Sequence, residues 1–168
     1  MAHITLDGTA AHTIGTLPQV GSSAPDFTLT GVDLRDVQLS TYAGKKKIMS
    51  IFPSVETGVC SKAAQRFNEI ASELKDTVVL SISADLPFAA SRFCAASKLA
   101  NIVPLSCYRY PEFGKLYGVT ILDGAFKGLL ARSVLVLDHR NRVAYSQLVS
   151  EIAHEPDYEA IRAAILAA

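Results

Sequence analysis

Cys60 is the residue of this chain whose surroundings best fit nucleophilic chemistry. It follows an apolar segment, with Thr57 three residues before it and Pro53 seven residues before it. The nucleophilic form of cysteine is the thiolate, which is a minor species of a free side chain near neutral pH. A second thiol, Cys94, and a cation, Arg132, follow further along the chain. A thiol, a hydroxyl, a cation and a second thiol are the groups that nucleophilic redox chemistry needs.

The pattern around Cys60 predicts a strand that leads into a helix. Residues 47–52 are typical of a buried strand, and Pro53, which has no N–H to give to a sheet, ends it. Apolar residues then recur at helical spacing, at Ala63, Ala64, Phe67, Ile70, Ala71 and Leu74. We therefore expect Cys60 in the first turn of a helix, beyond the carboxyl end of a strand, where unpaired N–H groups favour a thiolate. Thr57 is placed to cap this helix and to direct its hydroxyl beside the sulfur.

The residues alone leave other interpretations of these groups open. An inert, apolar Cys60 is one alternative. Cys60 and Arg66 also have the spacing of a cysteine-dependent phosphatase loop, although the residues between them are helix-forming and lack glycine, so we expect Arg66 to be solvated. Arg132 precedes the apolar segment 133–137 and is either a buried cation that serves Cys60 or a solvated residue at a strand edge. Only the fold can join two residues so far apart in sequence.

The motif Pro53-x3-Thr57-x2-Cys60 resembles the active-site motif of the peroxiredoxins. The wider sequence is similar to one branch of that family, the bacterial thiol peroxidases, which are atypical two-cysteine peroxiredoxins. The resemblance extends from about residue 20 to residue 158, and its matching stretches are 52–60, 81–89, 92–94, 127–132 and 155–158. Glu56 stands where this branch is expected to have an aspartate, which is a conservative departure.

The resemblance implies reduction of hydrogen peroxide and organic hydroperoxides, with Cys60 as the peroxidatic cysteine and Cys94 as the resolving cysteine. It implies an intramolecular Cys60–Cys94 disulfide, thioredoxin as reductant, and a homodimer packed around the active-site face. The remaining expected site residues are Pro53, Thr57 and Arg132. The chemistry needs no metal and no organic cofactor. Because a disulfide requires Cα atoms within ~7 Å, and both cysteines fall in predicted helices, we expect one or both segments to unwind locally when the bond forms.

Length and composition limit the number of domains, the partners and the compartment that we expect for this chain. A chain of 168 residues is predicted to form one domain, residues 1–168. Its 16 basic and 16 acidic residues balance, which argues against a nucleic-acid partner, and the cluster 45–47 is expected to be solvated lysines before a strand. No signal peptide and no apolar run of the ~18 residues that a membrane span needs are evident, so we expect a cytoplasmic protein without a membrane partner. Three cysteines then indicate transient rather than structural disulfide chemistry.

The order of apolar segments and turn residues predicts an α/β, thioredoxin-like fold, with a central mixed sheet flanked by helices and an N-terminal β-hairpin about Asp7 and Gly8. Strands are expected at 4–8, 11–14, 27–29, 37–39, 47–52, 77–83, 102–105, 133–137 and 142–148. Helices are expected after Cys60, from Asp85 and Pro87, from 111 to 117, and from Pro156. The side chains expected to face inward from the second and last helices are Phe88, Phe93, Ala96 and Leu99, and Tyr158, Ile161, Ile165 and Leu166.

The other reactive side chains are predicted to have no role in the chemistry. Asp85 and Glu56 are interpreted as capping or surface carboxylates rather than a general base. Cys107 is interpreted as a small residue at a strand end, with a regulatory or intermolecular thiol as the alternative. The four histidines lack metal-ligand spacing. Two further functions stay open on the residues alone: a redox sensor that signals through the same disulfide, and a hydrolase that uses Cys60 on acyl or phosphoryl groups.

Overall fold

A computed structural model describes residues 1–168 and shows a two-stranded hairpin and a seven-stranded mixed sheet. The hairpin strands are β1 (His3–Leu6) and β2 (Thr9–His12). The strands of the sheet are β3 (Thr28–Gly31), β4 (Asp36–Gln38), β5 (Lys46–Ile51), β6 (Thr77–Ser83), β7 (Ile102–Ser106), β8 (Ser133–Leu137) and β9 (Val143–Leu148). Their order across the sheet is β4-β3-β7-β6-β5-β8-β9, in which β5 lies parallel to β6 and antiparallel to β8.

Helices cover both faces of this sheet. They are α1 (Gly58–Glu73), α2 (Pro87–Ala96), α3 (Glu112–Leu116) and α4 (Tyr158–Ala167), with a 3-10 helix at Leu39–Tyr42. Pro87 is the first residue of α2, where its missing N–H costs nothing. The Asp157 carboxylate caps α4 by accepting the N–H of Ala160. The predicted α/β, thioredoxin-like architecture with an N-terminal hairpin is confirmed. A helix with the length and hydropathy that a bilayer span requires does not occur in this fold.

Alternation along the central strands divides the core into two clusters, because successive side chains of a strand point to opposite faces. One cluster joins Ile48 and Val134 to residues of α1 and α4, including Phe67 and Ile161. The other joins alternate residues of the same strands to α3, and it includes Met49, Ile51, Leu80, Leu135, Leu137, Phe113 and Tyr117. The strand β5 is therefore buried on both sides, which fixes the position of the segment that follows its carboxyl end.

Two of the predicted inward faces are partly wrong. Phe88 is 66% exposed, and Ala96 is exposed at the end of α2. The helix packs through Phe93, as predicted, and through Ala90, which lies three residues earlier on the same face. Leu99 is buried but lies beyond the helix. In α4 the residues Ile161 and Ile165 form the buried i, i+4 pair, and Leu166, one position further round the helix, is 66% exposed.

The prediction that the lysines at 45–47 are all solvated is wrong for Lys47. Its side chain is fully buried in β5, and its Nζ donates a hydrogen bond of 2.6 Å to Oδ1 of Asn141 in the β8–β9 turn. Burial lowers the pKa of Lys47, and the negative charge of Asp138 opposes that shift. The strand begins one residue earlier than expected, at Lys46, so the last two lysines belong to the sheet.

Candidate active site

Cys60 is the third residue of α1, and its side chain is 2% exposed. The sulfur belongs to a small cluster with Phe52 and Val55, against which Phe93 of α2 also packs. The first N–H groups of a helix have no intrahelical acceptor and carry partial positive charge. The predicted strand-to-helix position of Cys60 is therefore confirmed, and it places the sulfur in a setting that is apolar on one side and electropositive on the other.

The Thr57 hydroxyl lies directly against the sulfur. Its Oγ1 is 2.7 Å from Sγ of Cys60 and 3.2 Å from the carbonyl oxygen of Ser54. Thr57 is the N-cap residue of α1, as predicted, but its side chain makes no capping hydrogen bond to the helix. One hydroxyl has one proton to donate, and a thiolate is a stronger acceptor than a neutral carbonyl. The geometry therefore lets Thr57 donate to an ionised Cys60 and keep the Ser54 carbonyl as its alternative acceptor.

Arg132 is a buried cation beside Cys60, so the solvated alternative is wrong. Its side chain is 3% exposed, Nη2 lies 3.2 Å from Sγ of Cys60, and Nε donates to the carbonyl oxygen of Ile152 at 2.9 Å. None of the ion pairs in the structure involves Arg132. A buried charge without a partner is costly. The Cys60 thiolate is the group in contact with Arg132 that can balance its charge.

Pro53 and the residues after it form a turn between β5 and α1, and Asp85 holds this turn. Pro53 is buried directly after the strand. The Asp85 carboxylate accepts hydrogen bonds from Oγ of Ser54 (2.8 Å) and from the N–H of Val55 (2.9 Å). The interpretation of Asp85 as a capping or surface carboxylate is therefore wrong, because it is partly buried and makes these tertiary bonds. Glu56, in contrast, is an exposed residue in a surface ion pair with Arg92.

Cys94 lies on the adjoining helix and outside the hydrogen-bonded group at Cys60. It is half-buried in the last turn of α2, beside Phe93, and all three cysteines of the chain are reduced. Burial raises the pKa of the Cys94 thiol. Phe93 packs both against the Cys60 cluster and against the core cluster that contains Ile48 and Phe67, so α1 and α2 are in contact through this side chain.

Cys107 is buried one residue beyond the end of β7. Burial, with a smaller contribution from the negative charges of Asp85 and Glu112, raises the pKa of this thiol to about 11. A thiol with such a pKa is protonated at neutral pH and is a poor nucleophile. The predicted position at a strand end is correct.

A shallow pocket of about 120 Å³ opens onto Thr57 and Arg132. Its other lining residues are Leu6, Gly58, Val59, Phe126, Ile152 and Ala153. Sequence reasoning missed Leu6, Phe126 and Ile152, since each comes from a distant segment and no local pattern connects it with Cys60. Together these groups form a small pocket in which a hydroxyl and a buried cation lie beside apolar side chains.

Known proteins resemble this chain in sequence and in fold. The Redoxin family model matches residues 19–161. A thiol peroxidase of Mycobacterium bovis is 50% identical over 165 residues, which cover 98% of this chain and 99% of that protein. A peroxiredoxin-like protein from Aquifex aeolicus superposes with a TM-score of 0.93 at 34% identity, covering 99% of this chain and 97% of that one. A thiol peroxidase from Chromobacterium violaceum, 22% identical, shares the fold with a TM-score of 0.91 and coverage of 98% and 95%.

Proposed function

This chain belongs to the Redoxin family and, within it, to the peroxiredoxin-type thiol peroxidases, and on that premise we propose that Cys60 is the peroxidatic nucleophile. The observation that carries the proposal is the meeting of two donors at one sulfur: Thr57 Oγ1 at 2.7 Å and Arg132 Nη2 at 3.2 Å. Two donors that point at a buried sulfur stabilise the thiolate, which is the reactive form. An inert cysteine would need neither donor.

In the first step the Cys60 thiolate attacks the distal oxygen of a hydroperoxide, ROOH. The S–O bond forms as the O–O bond breaks, which gives a sulfenic acid on Cys60 and an alkoxide, RO⁻, that takes a proton from solvent to leave as ROH. The negative charge moves from the sulfur to the departing oxygen during this step. Thr57 and Arg132 would align the peroxide and stabilise that charge, a preorganised effect worth about 3 kcal/mol per donor.

In the second step the Cys94 thiol condenses with the sulfenic acid. An S–S bond forms between Cys60 and Cys94, and the sulfenic oxygen leaves as water with the thiol proton. An external dithiol then reduces the disulfide and is itself oxidised, and we propose thioredoxin as this reductant. Since both cysteines lie in helices, we propose that α1, α2 or both unwind locally when the disulfide forms.

We further propose that hydrogen peroxide and organic hydroperoxides are both substrates, a breadth supported by the apolar pocket residues Leu6, Phe126 and Ile152. We propose one domain that spans residues 1–168, and a homodimer. Exposed Leu86 and Phe88, close to the active-site turn, provide apolar surface for an interface. The proposed reaction cycle requires its disulfide to be reduced after each turnover, which suits a reducing compartment, and we propose the cytoplasm.

The test combines two cysteine variants with a count of oxidised thiols. Cys60→Ser should abolish peroxide consumption and leave the circular dichroism spectrum unchanged. Cys94→Ser should consume about one equivalent of peroxide per chain, because Cys60 is intact, and then stall with Cys60 as sulfenic acid in the presence of thioredoxin and its reductase. Peptide mass mapping of oxidised wild type should show a Cys60–Cys94 link and reduced Cys107.

Four results would contradict the proposal. Near-wild-type turnover by Cys60→Ser would remove Cys60 as nucleophile, and a Cys60–Cys107 bond would remove Cys94 as the resolving residue. Hydrolysis of a phosphate or acyl ester faster than peroxide reduction would favour the hydrolase alternative. Disulfide formation without catalytic turnover would favour the redox sensor.

A further inference from the structure

Asp85 connects two segments that the peroxidase reaction uses at different moments. Its carboxylate lies between the active-site turn, at Ser54 and Val55, and the loop that begins α2. The next residue, Leu86, is the N-cap of α2, the helix that holds Cys94. A single side chain thus joins the approach to Cys60 with the approach to Cys94.

The bonds on the active-site side fix the turn that presents Thr57. Asp85 Oδ1 accepts Ser54 Oγ, Oδ2 accepts the N–H of Val55, and Ser54 Oγ in turn accepts the N–H of Glu56 at 3.1 Å. The carbonyl of Ser54 is the second acceptor of the Thr57 hydroxyl. The position of that hydroxyl relative to the sulfur therefore depends on a turn that Asp85 holds by two direct bonds and one relayed bond.

The bonds on the other side make Asp85 a rigid anchor. Asp85 Oδ2 accepts a hydrogen bond from the hydroxyl of Ser83 at 2.7 Å, and the backbone N–H of Asp85 donates to the oxygen of that hydroxyl at 3.2 Å. The backbone carbonyl of Asp85 accepts a hydrogen bond from the hydroxyl of Ser106 at 2.5 Å. Ser83 and Ser106 are buried at the ends of the neighbouring strands β6 and β7. Charge-assisted hydrogen bonds to a carboxylate are about twice as strong as neutral ones. Both serines belong to strands of the sheet, so these bonds fix Asp85 to the sheet independently of its bonds to the turn.

We propose that Asp85 is a positioning residue that holds the enzyme in the peroxide-reactive conformation and opposes the local unwinding that joins Cys60 to Cys94. This proposal rests on the proposed function, because it assumes both sulfur steps. According to this proposal, the Asp85 carboxylate speeds the first sulfur step and slows the second. The bonds from Asp85 to Ser54 and Val55 favour attack on the peroxide, and the same bonds must break if the start of α1 unwinds for disulfide formation.

The test measures the two steps separately in Asp85→Asn. An amide has no charge and one acceptor oxygen where the carboxylate has two, so both bonds to the turn lose their charge assistance and residue 85 can no longer accept both of them. We expect the rate constant for sulfenic acid formation to fall about 10- to 100-fold, because Thr57 is held less accurately. We expect disulfide formation to become about 2- to 10-fold faster, the factor that one lost hydrogen bond supplies. Rapid-mixing mass spectrometry of quenched samples gives both rates.

A milder variant and a matched control keep the test decisive. Ser54→Ala removes the bond to Oδ1 alone and should shift both rates in the same directions by smaller factors, even if Asp85→Asn folds poorly. Asp138→Asn is the control, since Asp138 also accepts two turn N–H groups, those of Arg140 and Arg142, but at the far end of β8 from Arg132. It should leave both rates unchanged.

The outcomes separate this proposal from the proposed function. If sulfenic acid formation and disulfide formation are both slower in Asp85→Asn and in Ser54→Ala, Asp85 has a purely structural role and the proposal is wrong. The proposal is also wrong if neither rate changes. In either case wild type would still reduce peroxide. If wild type forms no sulfenic acid on Cys60, the proposed function itself fails. A further readout is overoxidation of Cys60 to sulfinic acid, which should require more peroxide in Asp85→Asn because faster resolution leaves the sulfenic acid exposed for less time.

Discussion

The sulfur of Cys60 lies between a hydroxyl, a guanidinium and the beginning of a helix. Of these, only Arg132 carries a full charge, and it is held in place by its second bond, from Nε to the carbonyl of Ile152. A planar guanidinium can make both contacts at once because its donors point in fixed, different directions. The cation is therefore positioned before substrate arrives, which is the condition for an electrostatic contribution that needs no rearrangement during the reaction.

Replacement of Arg132 should affect ionisation and catalysis together. We expect Arg132→Met to lower the fraction of Cys60 present as thiolate at neutral pH and to lower kcat/KM for peroxide about 100-fold or more. Arg132→Lys keeps the charge but cannot contact both Cys60 and the carbonyl of Ile152 as the planar guanidinium does, so kcat/KM should fall by less than in Arg132→Met. Thiolate absorbance as a function of pH and stopped-flow peroxide kinetics measure both effects.

The matched control is Arg142→Met, because Arg142 is an exposed arginine that also donates to a backbone carbonyl, that of Gly21. It should change neither quantity. Unchanged thiolate fraction and rate in Arg132→Met would remove Arg132 from the chemistry and leave Thr57 and the helix as the groups that act on Cys60.

Among the secondary-structure elements, sequence patterns correctly predicted the boundaries that are marked by residues with a strong local preference. The strand Thr77–Ser83 and the start of α2 at Pro87 agree with the predicted boundaries, because β-branched runs and a proline at the first helical position act locally. The failures concern partners distant in sequence. Asp85 was interpreted from its neighbours alone, and its bonds to Ser54 and Val55 depend on how two loops meet. Phe88 has an apolar side chain, but its exposure depends on which face of a short helix packs.

The N-terminal hairpin is an element whose place in the site was not predicted. Leu6 lines the pocket, and β1 is held against the segment at 150–152 by hydrogen bonds between Thr5 and both Ser150 and Ile152. Glu151 reinforces this contact. Its carboxylate accepts the hydroxyl of Thr5 and the N–H groups of Ala153, Gly8 and Asp7. The hairpin is thereby attached to the same segment whose carbonyl, at Ile152, holds Arg132.

This attachment should depend on pH in a defined direction. Hydrogen bonds from Thr5 first, and then from backbone N–H groups, lower the pKa of Glu151 from 4.5 to about 2. A carboxyl whose pKa is lower in the folded state stabilises the fold above its unfolded pKa, and that contribution is lost as pH falls toward the folded pKa. We expect Glu151→Gln to have a lower Tm than wild type at neutral pH, with the difference shrinking as pH falls from 4.5 toward about 2.

The control for this prediction is Glu69→Gln, which alters only an exposed ion pair with Arg66 and should change Tm little at any pH. A Tm difference for Glu151→Gln that stays constant through the acid range would show that its carboxylate does not stabilise the hairpin by these bonds. Direct titration of the Glu151 carboxyl by NMR, compared with Thr5→Ala, then identifies the donor that matters most.

At the scale of the whole molecule, the sheet register explains how residues 72 positions apart in sequence meet. Ser133, the first residue of β8, pairs with Ile51, the last residue of β5. Arg132 therefore emerges from the sheet beside the turn that leads to Cys60. Sequence reasoning identified Cys60 from its place at a helix start and Arg132 from its place before an apolar strand, and the family resemblance implied that the two act together. The residues alone could not predict their contact, because strand order is set by packing on both faces of the sheet and not by any local pattern.

The same packing leads to a prediction about unfolding. The two core clusters share the strands β5, β6 and β8, so neither can lose its partner strands without exposing the other. Because the shared strands couple the two clusters, we expect a single cooperative transition in urea under reducing conditions. Tyr117 belongs to one cluster and Tyr158 packs against the other, and the chain has no tryptophan, so near-ultraviolet signals report both faces through tyrosine. The variants Tyr117→Phe and Tyr158→Phe assign each signal to its face. Both signals should have the same midpoint as the far-ultraviolet circular dichroism. That midpoint should rise with protein concentration if the proposed homodimer dissociates on unfolding. Two separate midpoints for the two tyrosines would contradict a single domain, and a midpoint independent of concentration would contradict a dimer that is stable only when folded.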